Sequence, residues 1–294
     1  MPERAASRTA VLVCQGRAAA DGRVAAGRFS DPVAVELLRE DERAVVEQVR
    51  AGTPPTGSDR MAYELVQACA ELMAPRTVAI DDAVRAHPGT QLVILGAGLD
   101  TRSWRLPELA ETVVWELDHP ASQRDKRDRL GSPTPTAREV RFVPVDFASD
   151  DLDACLASAG HDARTPTTWV WEGVVPYLTR ADIRATLGMV GRRSAPGSTL
   201  IVNYQSPSVR ATLGRRLATT LARLGGVRPV TAGEPWLTLL TPDQLWRLAL
   251  EAGFGVVADE DLGTIADRLG SGTARRTSVR TGRVAVARRP ATSS

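Results

Sequence analysis

Apolar positions in this chain fall into two textures. Continuous apolar-rich runs at residues 92–95, 112–117, 140–145, 168–171 and 198–204 are separated by longer stretches whose apolar residues recur at helical spacing. A run too short for a helix and without polar alternation reads as a strand covered on both faces, as in a parallel sheet. Two further runs, 254–258 and 282–287, suggest closing strands. The pattern predicts an α/β fold, a doubly wound, seven-stranded, mostly parallel sheet. Residues 179–193 are expected to be helical, Pro196-Gly197 to turn, and Thr241-Pro242-Asp243 to open a last helix that Gly253 ends.

The segments before the first strand differ. Residues 1–28 are rich in Ala, Arg and Gly with no sustained period, which fits either an arm that orders over a ligand or a frayed terminus. Asp31-Pro32 reads as the cap and first position of a helix carrying Val33, Val35, Leu37 and Leu38. After a break at 52–57, Ser58 or Asp59 caps a second helix through Leu72, continuing or kinking at Pro75 toward Val84. Between 205 and 240 an arginine-rich helical pattern, a Gly-Gly break and Pro235-Trp236 suggest an inserted lid. The organisation expected is an N-terminal arm and helical cap over 1–86, then a core over 87–294 that carries the lid.

Candidate chemistry sits where the strands end. Leu92-Val93-Ile94-Leu95 runs into Gly96 and Gly98, which let backbone turn sharply and approach a ligand closely. Thr101 stands where a dinucleotide fingerprint has its third glycine, so that pattern fails. The second strand ends in Asp118, 22 residues after Gly96, placed to accept from the hydroxyls of a ribose or to cap a helix before Pro120. The third ends in Asp146 and Phe147, an acid for an exocyclic amine and a ring to cover a base, or again a cap. Glu172 closes the fourth. Polar loops at the carboxyl ends of consecutive strands are where an open parallel sheet binds its ligand.

Composition narrows the setting. With 294 residues and 43% hydrophobic positions the chain can bury a full core. The 37 basic residues, of which only Lys126 is lysine, barely exceed the 35 acidic ones, so a nucleic-acid partner is not implied. The one arginine-rich stretch, 275–289, reads as a solvated hairpin face. Cys14, Cys69 and Cys155 are odd in number and lack metal-ligand spacing, which fits a reducing cytoplasm without a bound metal. The apolar run 10–14 is too short for a signal core or a membrane span. No sequence feature specifies an oligomer.

Taken together, Asp31-Pro32-Val33-Ala34, Ala74-Pro75-Arg76-Thr77, Leu95-Gly96-Ala97-Gly98-Leu99-Asp100-Thr101-Arg102, Glu116-Leu117-Asp118, Pro144-Val145-Asp146-Phe147 and Glu172-Gly173-Val174 resemble the leucine carboxyl methyltransferase family and its bacterial relatives that methylate natural products. The resemblance runs from Asp31 to Arg289 and implies a class I methyltransferase fold using S-adenosylmethionine, with S-adenosylhomocysteine as product. It implies that Gly96 and Gly98 face the methionine part of the cofactor, Asp118 its ribose, Asp146 and Phe147 its adenine, and Glu172 its amino group. Arg76 would reach the cofactor carboxylate and the reacting group. The family usually has Leu at the position of Phe147. His119 is read as structural, and Tyr177 stands open between catalysis and structure.

A carboxylate acceptor is ionised at neutral pH and needs no general base, only a partner such as the Arg76 fork. A phenol would need a base. The expected activity is therefore carboxyl O-methylation of a small-molecule or peptide-like natural product. Hydroxyl methylation of an aromatic polyketide is the alternative within the fold. A nicotinamide-dependent oxidoreductase and an inactive binding module are the alternatives outside it.

Overall fold

A computed structural model describes residues 7–57, 59–131, 133–147, 149–207, 236–271 and 281–291. One sheet contains β1 (Gln91–Leu95), β2 (Val113–Asp118), β3 (Glu139–Pro144), β4 (Thr167–Trp171), β5 (Thr199–Gln205), β6 (Gly255–Asp261) and β7 (Gly282–Arg288). Across the sheet the order is β3-β2-β1-β4-β5-β7-β6. The first five strands are parallel, and β7 is antiparallel to both β5 and β6. All five runs read as parallel strands are strands to within one residue at either end.

The apolar runs are continuous because both faces of the sheet are covered. Val93, Leu95, Trp115, Trp169 and Trp171 pack into one layer with α6 (Leu152–Ser158), α7 (Arg180–Arg192) and α8 (Pro242–Glu251). Leu92, Ile94, Val114, Val170 and Ile201 pack into the other with α3 (Asp59–Ala86) and α9 (Leu262–Arg268). The remaining helices are α1 (Arg8–Ala20), α2 (Glu40–Ala51), the single turn α4 (Arg102–Arg105) and α5 (Pro120–Leu130). Chain order reverses on either side of β1, whose neighbours are β2 and β4. The connections from β1 and β4 therefore leave in opposite directions and open a crevice at the carboxyl ends of the strands. Register aligns those ends, with Leu95 opposite both Leu117 and Trp171.

Several local expectations need correction. Residues 8–20 are not a frayed end: they form α1, in which Cys14 to Ala20 are all buried. The segment after Asp31 is a series of tight turns, with Ala34, Glu36 and Leu38 each donating to the carbonyl three residues back, and the helix starts only at Glu40. Burial of Ala34, Leu37 and Leu38 under the helical layer sets that path rather than helical periodicity. By contrast, α3 continues through Pro75 as one of the two readings of that position had it, running unbroken for 28 residues because its apolar stripe is buried along the helix. Helix α9, between the closing strands, was not foreseen. Most of the expected lid (208–235) and the first part of the arginine-rich stretch (275–280) lie outside the described residues. Among the described residues no helix is long and apolar enough to cross a membrane.

His161 is buried between Trp115 and Trp169 and does not line the strand-end crevice. Its Nδ1 accepts from Arg193 Nε at 3.2 Å, so the ring proton sits on Nε2, 3.0 Å from Thr167 Oγ1. Burial, then the Arg193 charge, push its pKa down to about 4. A folded-state pKa below that of the unfolded chain means the unfolded state binds more protons in the interval, so stability rises with pH there. Stability is expected to fall as pH drops from about 6.5 to about 4. His161→Gln should flatten that part of the profile in denaturant titrations; an unchanged slope would reassign it to other groups.

Candidate functional site

The site begins at the loop after β1. Gly96 and Ala97 both donate their N–H to the Leu117 carbonyl, at 2.8 and 3.0 Å, which holds the loop against the end of β2. Gly96 has φ +69°, and a Cβ there would lie 2.3 Å from Val174 Cγ2. Gly98 has φ +50°, and a Cβ there would lie 3.2 Å from the Cβ of Ala10 on α1. Bare backbone is thus required both by conformation and by the two segments that close on it.

Asp118 follows directly. One carboxylate oxygen accepts from Gly98 N–H at 2.5 Å and the other from His119 N–H at 2.6 Å. Burial pushes the Asp118 carboxyl up from its ordinary range, and those two backbone donors counter it in part. His119 caps α5, its Nδ1 accepting from Ala121 N–H at 3.2 Å, in line with the structural role expected of it. At the end of β3, Asp146 and Phe147 turn into the same crevice, the loop held by Asp146 N–H donating to Asp150 at 2.8 Å.

Glu172, one residue beyond β4, is gripped from two sides. Arg76 Nη2 from α3 lies 2.7 Å from Oε1, and Arg102 Nη1 from α4 lies 2.7 Å from Oε2. Burial alone would raise the Glu172 carboxyl, but Arg76, Arg102 and Arg17 outweigh it and hold the group well below the usual carboxylate range. The Nε of Arg76 is buried and has no hydrogen-bond partner. Tyr177 lies in the short turn Val175–Tyr177, and the neighbouring Pro176 carbonyl accepts from Leu237 N–H at 2.7 Å.

These groups line one cleft of about 600 Å³, within the size range of small-molecule sites. It brings together all eight residues singled out from the sequence: Arg76, Gly96, Gly98, Asp118, Asp146, Phe147, Glu172 and Tyr177. It also has a wall that sequence reasoning missed, made by Ser7, Thr9, Ala10, Val13 and Arg17 of the α1 region. Arg17 pairs with Asp31 at 2.8 Å and donates to the Leu99 carbonyl at 2.6 Å, tying α1 to the glycine loop. The signal available was faint: Ser7 as a helix cap, and one arginine at the end of an Ala-rich stretch. Helix α1 shows no amphipathic stripe because its sides face α3, α2 and the cleft, leaving little of it to solvent.

The leucine carboxyl methyltransferase family profile matches residues 10–191. A Mycolicibacterium vanbaalenii protein named as an S-adenosyl-L-methionine-dependent methyltransferase is 36% identical over 220 residues, covering 69% of this chain and 68% of that one. A similarly named Streptomyces coelicolor protein is 31% identical over 244 residues, covering 82% and 80%. Among solved structures, a Thermobifida fusca protein titled a methyltransferase superposes with a TM-score of 0.51 at 19% identity, covering 95% of this chain and 94% of its own. A methyltransferase structure from Methanosarcina mazei superposes with a TM-score of 0.50 at 15% identity, covering 71% and 97%. At these identities the structural likeness speaks for the fold alone, and that fold is the class I methyltransferase sheet.

Proposed function

The chain belongs to the leucine carboxyl methyltransferase family and is an S-adenosylmethionine-dependent methyltransferase; on that premise we propose that it methylates a carboxylate oxygen of a small-molecule or peptide-like acceptor. The residues present fit the methyl donor. The cofactor's amino-acid end carries one ammonium and one carboxylate, and the cleft offers a carboxylate, Glu172, beside an arginine with an unpartnered buried Nε. Such a donor would not stay dry and unpaired without an anion to complete it. In this reading Gly96 and Gly98 pass along the methionine part, Asp118 takes the ribose hydroxyls, and Asp146 with Phe147 holds the adenine. When bound, the cofactor supplies an electrophilic methyl group on a sulfonium, for in-line displacement by an acceptor oxygen.

The observation that carries the choice of acceptor is the state of Glu172. The carboxylate beside the expected transfer point is held ionised by arginines, which makes it a poor proton acceptor. His119 also lines the cleft, but its Nδ1 is committed to Ala121 N–H as the cap of α5. Among the described residues we assign no base to a hydroxyl acceptor, whereas a carboxylate arrives ionised and asks only for positive charge, which Arg76 and Arg17 provide. Tyr177 and Leu237 border the cleft on the side open to the acceptor, and the Tyr177 hydroxyl is free to orient it. The helices of the 1–86 region act as a cap that keeps water from the reacting groups of the 87–294 core, in a cytoplasmic enzyme whose thiols stay reduced.

Methyl-labelled cofactor incubated with a panel of aryl and peptide carboxylic acids and of phenols separates the two acceptors. Label in an ester is released as methanol by alkali, and label in an aryl ether is not. Alkali-labile product from the acids is expected. Alkali-stable product from the phenols alone would replace the carboxylate reading with the hydroxyl one.

A further inference from the structure

Arg102 has no part in the reading above, yet it is the hub of the buried charge around the cleft. Its Nε donates to Asp81 at 2.8 Å, and its Nη1 reaches both Asp100 and Glu172. The chain of contacts continues. Arg105 holds the other Asp81 oxygen at 2.6 Å and donates from Nε to Thr101 Oγ1 at 3.0 Å, and that hydroxyl in turn donates to Asp31, the partner of Arg17. Four arginines and four carboxylates are thus linked without a break from α1 to the end of β4, and none of the eight side chains is more than 10% exposed.

Such a cluster is an expensive way to stabilise a fold, because burying ions costs more than packing apolar groups of similar size. Its geometry indicates a different task. Glu172 is the member that faces the ligand, and it is pinned at both oxygens: Arg76 comes from α3 and Arg102 from α4. We propose that Arg102 is a positioning residue for the methyl donor, fixing the Glu172 carboxylate in the orientation and charge state that receive the cofactor's amino group. The proposal rests on the reading that Glu172 meets that amino group.

The groups facing Glu172 are Arg76 on α3, Arg17 on α1, and Arg102 and Asp100 from the glycine loop and α4. Removing Arg102 takes away one of three cations and leaves Asp100 as a like charge without its main partner. Burial then acts against the Glu172 charge with less opposition, and a protonated Glu172 does not attract an ammonium.

The test compares two ligands by calorimetry: S-adenosylhomocysteine, and methylthioadenosine, which keeps the adenine, ribose and sulfur but lacks the amino-acid end. Arg102→Gln and Arg102→Lys are each expected to weaken S-adenosylhomocysteine by about tenfold or more, the loss of one charge-assisted contact, and to leave methylthioadenosine unchanged. Equal loss of both ligands, or no loss of either, overturns the proposal. If Arg102→Gln does not fold, the Lys variant carries the comparison, with methylthioadenosine binding as proof of an intact site. Glu172→Gln separates the two levels. If it leaves S-adenosylhomocysteine binding untouched, the amino-group reading itself fails; if it weakens binding while the Arg102 variants do not, only the positioning role fails.

Discussion

Replacing Asp118 with Ala is expected to weaken S-adenosylhomocysteine binding by about 10²- to 10⁴-fold, the loss of two charge-assisted hydrogen bonds of about 1.5–3 kcal/mol each. The two carboxylate oxygens are held in place by the N–H groups of Gly98 and His119, so the remaining lone pairs are fixed in direction before a ligand arrives. A ribose diol presents two hydroxyls at a spacing that one carboxylate can take together, and the anchored loop pre-empts the cost of orienting it. Asp118→Asn keeps the size but loses the charge and one acceptor, so its loss should be intermediate. Because burial raises the Asp118 carboxyl, affinity in the native protein should begin to fall at a pH above the ordinary range of such groups, as the carboxylate takes up a proton. Methylthioadenosine retains the ribose and should lose affinity in parallel, the opposite of its behaviour with the Arg102 variants. Calorimetry with both ligands checks this. Binding that survives Asp118→Ala intact would remove the ribose from this strand end.

The second large effect is on stability. Gly96→Ala is expected to lower the unfolding free energy by about 2–5 kcal/mol, from about 1–2 kcal/mol of left-handed backbone strain and about 1–3 kcal/mol of overpacking. The conformational part follows from φ +69°, and the steric part from the 2.3 Å approach to Val174 Cγ2. The two parts are separable. Gly96→Ala combined with Val174→Ala removes the methyl that collides and should recover the packing share while the backbone share remains. Val174 lies two residues after Glu172, so displacing it also disturbs the carboxylate, and cofactor affinity should fall with stability in the single variant. Denaturant unfolding of the single and double variants measures this. A double variant no better than the single one would mean that Val174 cannot be the obstacle.

How much of the site could be read in advance depended on where its residues sit. Gly96, Asp118, Asp146 and Glu172 each follow a short apolar run, and a strand that must be buried on both faces announces its own end. Once four such ends are recognised, the parallel topology places them side by side. Arg76 could be named only through the resemblance of its motif, since an arginine in the middle of a 28-residue helix has no local mark that distinguishes it from a solvated one. Arg102 too was named only within a resembling motif and without a role, Arg17 was beyond reach for want of any local mark, and α1 because a helix buried on several sides loses the periodicity that identifies one.

The sequence by itself determined the strands, the turns that end them, the mostly parallel sheet and the strand-end groups that line the cleft. These follow from short-range steric and hydrophobic rules, which act within a few residues and leave a visible pattern. Only the tertiary structure decided that α1 closes over Gly98, that the turns after Asp31 replace a helix, and that Glu172 is clasped between Arg76 and Arg102. Those arrangements depend on charges paired directly across as many as 96 residues in one buried cluster. Opposite charges leave no periodic trace in a sequence, and their partners are selected by which segments the packed sheet and helices bring within reach.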